Sequence, residues 1–184
     1  MNPSSRPTAR AASPVTALLL AAAGALSLSP TAQATGTAEV RFVEPEHYTD
    51  IGRTAGDRQR HLGLIERHVQ ALARRLPDGQ HLRLEVLDVD LAGEERWVGS
   101  YPDLRVLRGR ADWPRMQVRY TLSAGGQTLR SGEERLQDMA YLDRAADLPR
   151  GEPLAYDLRL LDEWFAARVL GPAPRREPVS PRQP

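Results

Sequence analysis

The chain has 184 residues, with 25 Lys+Arg against 24 Asp+Glu and a formal net charge of +1. It contains no cysteine, which excludes disulfide staples, thiolate nucleophiles, cysteine metal sites and a lipid anchor carried on cysteine. So balanced a charge excludes a polycationic nucleic-acid footprint, and the use of arginine for every basic position reads as GC-rich coding bias.

In chain order, Arg6 and Arg10 precede an apolar run from Val15 to Leu28, and Ala32-Gln33-Ala34 supplies small residues at a cleavage position. This pattern predicts a secretory signal over residues 1–34. The run is shorter than the roughly 20 apolar residues of a bilayer span, so it is expected to leave with the signal, giving a periplasmic or secreted chain without a membrane anchor. Losing Arg6 and Arg10 tips the remainder to slightly acidic. Residues 35–170 suit one domain.

Ala38, Val40 and Phe42 alternate with polar neighbours and predict a short strand, ended by Glu44-Pro45-Glu46. Leu62, Ile65, Val69, Leu72 and Leu76 recur at three- and four-residue steps, predicting a helix from about Asp57 to Leu76. Asp57 is the expected N-cap, and Pro77-Asp78-Gly79 the stop. The next strand changes phase: Leu82, Leu84 and Val86 share a face, then Leu87, Val89 and Leu91 take over. Either a bulge near Val86 and Leu87 restores the second set to the core, or Asp88 and Asp90 are buried. The bulge costs less, because buried carboxylates need arginine or metal partners.

After a polar stretch bearing Gly93 and Gly99, Leu104, Val106 and Leu107 predict a short strand. Met116, Val118, Tyr120 and Leu122 predict a longer one, turned by Ala124-Gly125-Gly126-Gln127 into a return over Thr128 to about Glu134, with Gly132 as a possible bulge. Leu154, Leu158, Leu161, Phe165 and Val169 predict a second helix opened by Glu152-Pro153. Residues 171–184 carry prolines and few apolar residues and predict a disordered Pro/Arg-rich tail. The order strand, helix, strands, helix predicts an α+β fold: a small, mainly antiparallel sheet of about four to five strands with two helices on one face.

Common catalytic signatures are lacking: there is no phosphate loop, paired-histidine zinc motif or nucleophile-elbow serine. His61 and His68 lie about 10 Å apart along one helix, too far to share an ion, and His47 lacks diagnostic ligand spacing. The candidate binding residues are polar or aromatic. Asp88, Asp90 and Glu94 form one acidic group, together with Glu95, and Glu133, Glu134 and Asp138 form another. If they converge, they suit calcium or general acid–base chemistry; if not, arginine ion pairs absorb them. Asp112 and Trp113 read as a local backbone acceptor and a sheet-edge plug, with ligand stacking as the alternative. Trp97, in a glycine-bounded loop, is the aromatic expected to face a partner.

Pro45-Glu46-His47-Tyr48-Thr49-Asp50, the Leu84–Glu94 run, Ala111-Asp112-Trp113-Pro114-Arg115, and Gly132 through Met139 resemble the domain-of-unknown-function family 3016. The resemblance spans about Val40 to Phe165, and its motif positions, Tyr48 and Asp50 among them, raise the priority of the candidates without assigning roles. It implies exported bacterial proteins, and brings no activity, cofactor or catalytic residue with it. The expected function is a non-catalytic periplasmic binding or envelope-assembly module, with no metal or other cofactor and no nucleic-acid partner, acting on an envelope protein or small ligand. The alternative is a carboxylate-based, metal-assisted hydrolase, which requires Asp88 or Asp90 to meet Glu133, Glu134 or Asp138.

Overall fold

The computed structural model describes residues 35–98, 101–109, 111–148 and 151–171, apart from the side chains of residues 97–104 and Asp147. The expected signal segment, the tail beyond Gly171 and the Trp97 side chain lie outside that set. The elements are β1 (Thr37–Phe42), α1 (Ala55–Ala73), β2 (Gln80–Asp90), β3 (Glu94–Val98), β4 (Tyr101–Val106), β5 (Arg115–Ala124), β6 (Gln127–Gln137) and α2 (Ala155–Trp164), the last extended by a π turn over Phe165–Val169. Among the described residues, no helix is long and apolar enough to cross a membrane.

The expected α+β architecture holds. Four strands form a sheet in the order β1-β2-β5-β6, and β3 pairs with β4 in a separate two-stranded ribbon. β1 and β2 run parallel, joined by the α1 crossover, and the other neighbours are antiparallel. Leu82, Leu84 and Val86 from β2 and Met116, Val118 and Leu122 from β5 point to the helical layer. There they bury against Ile65, Val69 and Leu72 of α1 and Leu161 and Phe165 of α2. The periodicity therefore located both helices by the face that leaves water.

The phase change in β2 is a bulge. The β2–β5 register slips between Val86 and Asp88, leaving Leu87 unopposed, so Val89 and Leu91 return to the core and Asp88 and Asp90 turn to the opposite face. The chain after β1 locks this irregularity. Val43 N donates to the Val86 carbonyl at 3.0 Å, the Tyr48 hydroxyl donates to the same oxygen at 2.7 Å, and Asp50 pairs in parallel with Asp90.

Four local expectations change. Thr54, not Asp57, caps α1: its hydroxyl accepts the Asp57 N–H at 3.1 Å and donates to the Asp57 carboxylate. The helix starts at Ala55 because Gly56 and Asp57 belong to its first turn. The polar stretch after Gly93 contains β3, whose Glu94, Glu95 and Arg96 carry no apolar alternation to announce it. Gly132 is not a bulge; the register slips at Leu122/Ser123 instead, and a Cβ at Gly132 would lie 3.2 Å from the Tyr120 ring. Helix α2 starts after Pro153, at Ala155, because Leu154 adopts the left-handed conformation with φ 57°.

Candidate functional site

The face of the sheet opposite the helices is a polar field. Register brings Glu39 beside Arg83, Arg41 beside Glu85, and Glu85, Arg119 and Glu133 into one row across β2, β5 and β6. Arg119 donates to Glu85 at 3.0 Å and to Glu133 at 2.9 Å, and Gln117 also reaches Glu133, at 2.8 Å. Hydrogen bonds from Gln117 first, and then from Arg119, hold the Glu133 carboxyl below its ordinary range.

Beyond this row, where β2 bulges, lies a groove of about 220 Å³ whose walls include Thr49, Asp88, Asp90, Arg115, Gln117 and Arg135. Both oxygens of Asp88 are engaged by one residue: Thr49 donates its backbone N–H at 2.7 Å and its hydroxyl at 2.9 Å. Arg115 donates through Nε to Asp90 at 2.8 Å and stacks over Trp113, 5.3 Å from the ring centroid. Arg135 is exposed and forms no ion pair among the described residues.

The remaining candidates are dispersed. Glu94 pairs locally with Arg96 at 2.8 Å. Glu134, one residue from Glu133, faces the helical layer and meets Arg168 at 3.0 Å, since successive strand residues point to opposite faces. Asp138 pairs with Arg144 at 2.6 Å and accepts the Ala140 N–H. The acidic group of the hairpin therefore does not join Asp88 and Asp90 in the groove. Tyr48 packs inward at the bulge, where burial foremost raises its hydroxyl pKa, and Asp50 turns to Arg105 at 2.9 Å.

Asp112 anchors the turn before β5. Its carboxylate accepts the N–H groups of Arg108 at 2.6 Å and Gly109 at 2.8 Å and the Tyr141 hydroxyl at 3.0 Å. Burial favours its neutral form, but these donors together outweigh that effect and hold the carboxyl below its usual range. The same contact, after burial, pushes Tyr141 up to about 12. The Trp113 indole nitrogen is buried and has no hydrogen-bond partner among the described residues.

Two residues escaped the sequence reading. Arg105 reaches Asp50, Glu95 and the carbonyls of Ala92 and Gly93. Asp157, on α2, is buried and accepts the Ala92 N–H at 3.0 Å. Its signal was present: it falls three residues after Leu154 and four before Leu161, on the apolar stripe of its helix. His68, too far from His61 to share an ion with it, crosses from α1 to Asp162 of α2 at 2.7 Å.

Comparison with known proteins supplies a family. No curated protein matches the chain. A solved crystal structure, named as that of a "putative lipoprotein" from Caulobacter crescentus CB15, matches at 16% identity with a TM-score of 0.27, covering 73% of this chain and 93% of that one. Residues 36–167 match the family described as Protein of unknown function (DUF3016). That span takes in both helices, the whole sheet and every candidate residue named above, and the chain is a member of the DUF3016 family.

Proposed function

We propose that the chain is exported and acts in the periplasm as a non-catalytic binding or assembly module that uses the open face of its sheet. The observation that carries this reading is the uncovered row Arg41, Glu85, Arg119 and Glu133, with the polar groove at its end. A sheet face left to water is common in antiparallel sheets, but this one presents alternating charges at fixed spacing, which favours recognition of a complementary charged surface. Arg135, exposed beside the groove, supplies a donor for an acidic group of the partner. The acids that hydrolysis would recruit are occupied: Asp88 by Thr49, Asp90 by Arg115, and Glu133 by Arg119 and Gln117.

Crosslinking and pull-down from the native envelope test this, comparing the wild-type chain with an Arg119→Glu/Arg135→Glu variant. The expected result is a reproducible partner recovered by the wild type and lost from the variant. Equal recovery by both chains overturns the open face as the contact surface. Mass spectrometry of the envelope fraction is expected to find an N-terminus at Thr35; an intact N-terminus in the cytoplasmic fraction overturns export.

A further inference from the structure

Three carboxylates converge on one guanidinium at the end of the sheet. Arg105 Nη1 donates to Asp50 and to the Gly93 carbonyl, each at 2.9 Å, and Nη2 reaches Glu95 at 3.3 Å. Asp157 completes the group from the first turn of α2. It is 2% exposed, and among the described residues its hydrogen-bond partner is the Ala92 N–H and it forms no ion pair. Glu95, whose side chain is 9% exposed, has its second oxygen buried and, among the described residues, without a hydrogen-bond partner.

The group is short of positive charge. One guanidinium serves three acids, and the N-terminal end of α2 adds only about half an elementary charge. Buried carboxylates in that position take up either a proton or a cation. Asp157 registers the shortage: burial first, with Asp50 adding to it, pushes its carboxyl up to about 7 against the opposing effects of the Ala92 N–H and Arg105.

A cavity of about 150 Å³ has Asp157 among its lining residues, together with Arg105, Leu107, Leu154 and Tyr156. It shares Glu152 and Ala155 with a cleft of about 420 Å³ between α1 and α2, which offers Leu158, Arg159 and the His68–Asp162 pair. The small cavity holds the volume of about five waters, enough for an ammonium and its first methylenes, and the larger one lies in the range of small-molecule sites. Among the described residues, no three His, Asp or Glu side chains are grouped closely enough to hold a metal ion. An ammonium needs only hydrogen-bond distances to its acceptors and tolerates apolar walls.

We infer that the paired cavities bind a primary organic amine, its ammonium seated between Asp157 and Glu152 and its alkyl chain laid along Leu154 and Leu158. This site lies in the helical layer, away from the open sheet face, and stands or falls separately from the reading above. Binding replaces the Asp157 proton with the ligand's charge, so affinity rises with pH while Asp157 is still protonated, and then levels off. The charged groups acting on the carboxyl are Arg105 and Asp50, while Glu152 and Tyr156 line the same cavity and Glu95 is bound to Arg105.

Calorimetry of the full chain with n-pentylamine at pH 6 and pH 8, in two buffers of different ionisation heat, tests the inference. Expected are saturable binding, about tenfold tighter at pH 8, and release of nearly one proton per amine at pH 6. Asp157→Asn, which keeps the acceptor for Ala92, is expected to weaken binding at least tenfold at pH 8, whereas Arg119→Ala leaves it unchanged. The proton release is read on the wild type and needs no variant to fold. Absence of saturable binding at millimolar amine, equal affinity at the two pH values, or equal binding of pentanoate overturns the inference.

Discussion

Asp112 and Asp157 are both buried acids, and their surroundings push them in opposite directions. Donors from Arg108, Gly109 and Tyr141 favour charged Asp112, so its contribution to stability is present above the unfolded carboxyl range and is lost as pH falls below about 4. Asp157 goes from 3.8 to about 7; its contribution is complete below the unfolded value and is lost as pH rises toward 7. Between those limits the wild type should lose up to about 4 kcal/mol relative to Asp157→Asn, read as the difference between their urea midpoints across pH. Parallel midpoints from pH 4 to 7 would refute the raised carboxyl. Asp112→Ala removes the shared acceptor of the buried Tyr141 hydroxyl and of two part-buried N–H groups and should cost about 3 kcal/mol at pH 7, with the same measurement as the check.

At the scale of elements, the bulge in β2 decides which face its acids occupy. Were β2 regular through Leu87, Val89 and Leu91 would face water and Asp88 and Asp90 the core. Deleting Leu87 removes the extra residue and leaves Val86, Val89 and Leu91 on the core face and Asp88 and Asp90 on the open one, so the variant should keep a cooperative transition by circular dichroism; loss of that transition would mean that the bulge itself is needed to seat Tyr48 and Thr49. Thr54→Ala removes only a cap and should cost about 1 kcal/mol. The bulge was legible because two incompatible phases abut at Val86 and Leu87. The first helix was legible because its apolar residues share a side, whereas its cap was misplaced by three residues because Thr54 and Asp57 both satisfy the capping pattern. Strand β3 was not legible, since Glu94-Glu95-Arg96 gains its partner from β4 and carries no apolar side chain to mark a period. Asp157 was hidden by a rule that is usually sound: an acid in the first turn of a helix reads as a partner for the helix dipole, and only the burial of that turn against Ala92 gives it another role.

Over the whole molecule, the segments that carry the family resemblance interlock where β2 ends. Tyr48 holds the Val86 carbonyl, Thr49 holds Asp88, Asp50 holds Arg105, and Asp90 holds Arg115. These contacts tie the loop after β1 to the sheet and to the β3–β4 ribbon, and their part in the architecture accounts for much of that resemblance without any chemistry. The open face differs. Arg119 is 53% exposed although it bridges two acids, and an exposed pair contributes only about 0.2 to 1 kcal/mol. Arg119→Ala should therefore lower stability by less than about 1 kcal/mol, against about three times that for Asp112→Ala. If thermal melts instead show Arg119→Ala to be as damaging as Asp112→Ala, the charged row is a structural brace and the binding reading loses its main support. If the small effect is found, the row Arg41, Glu85, Arg119 and Glu133 contributes little to folding, and its alternating charge is left to serve a partner.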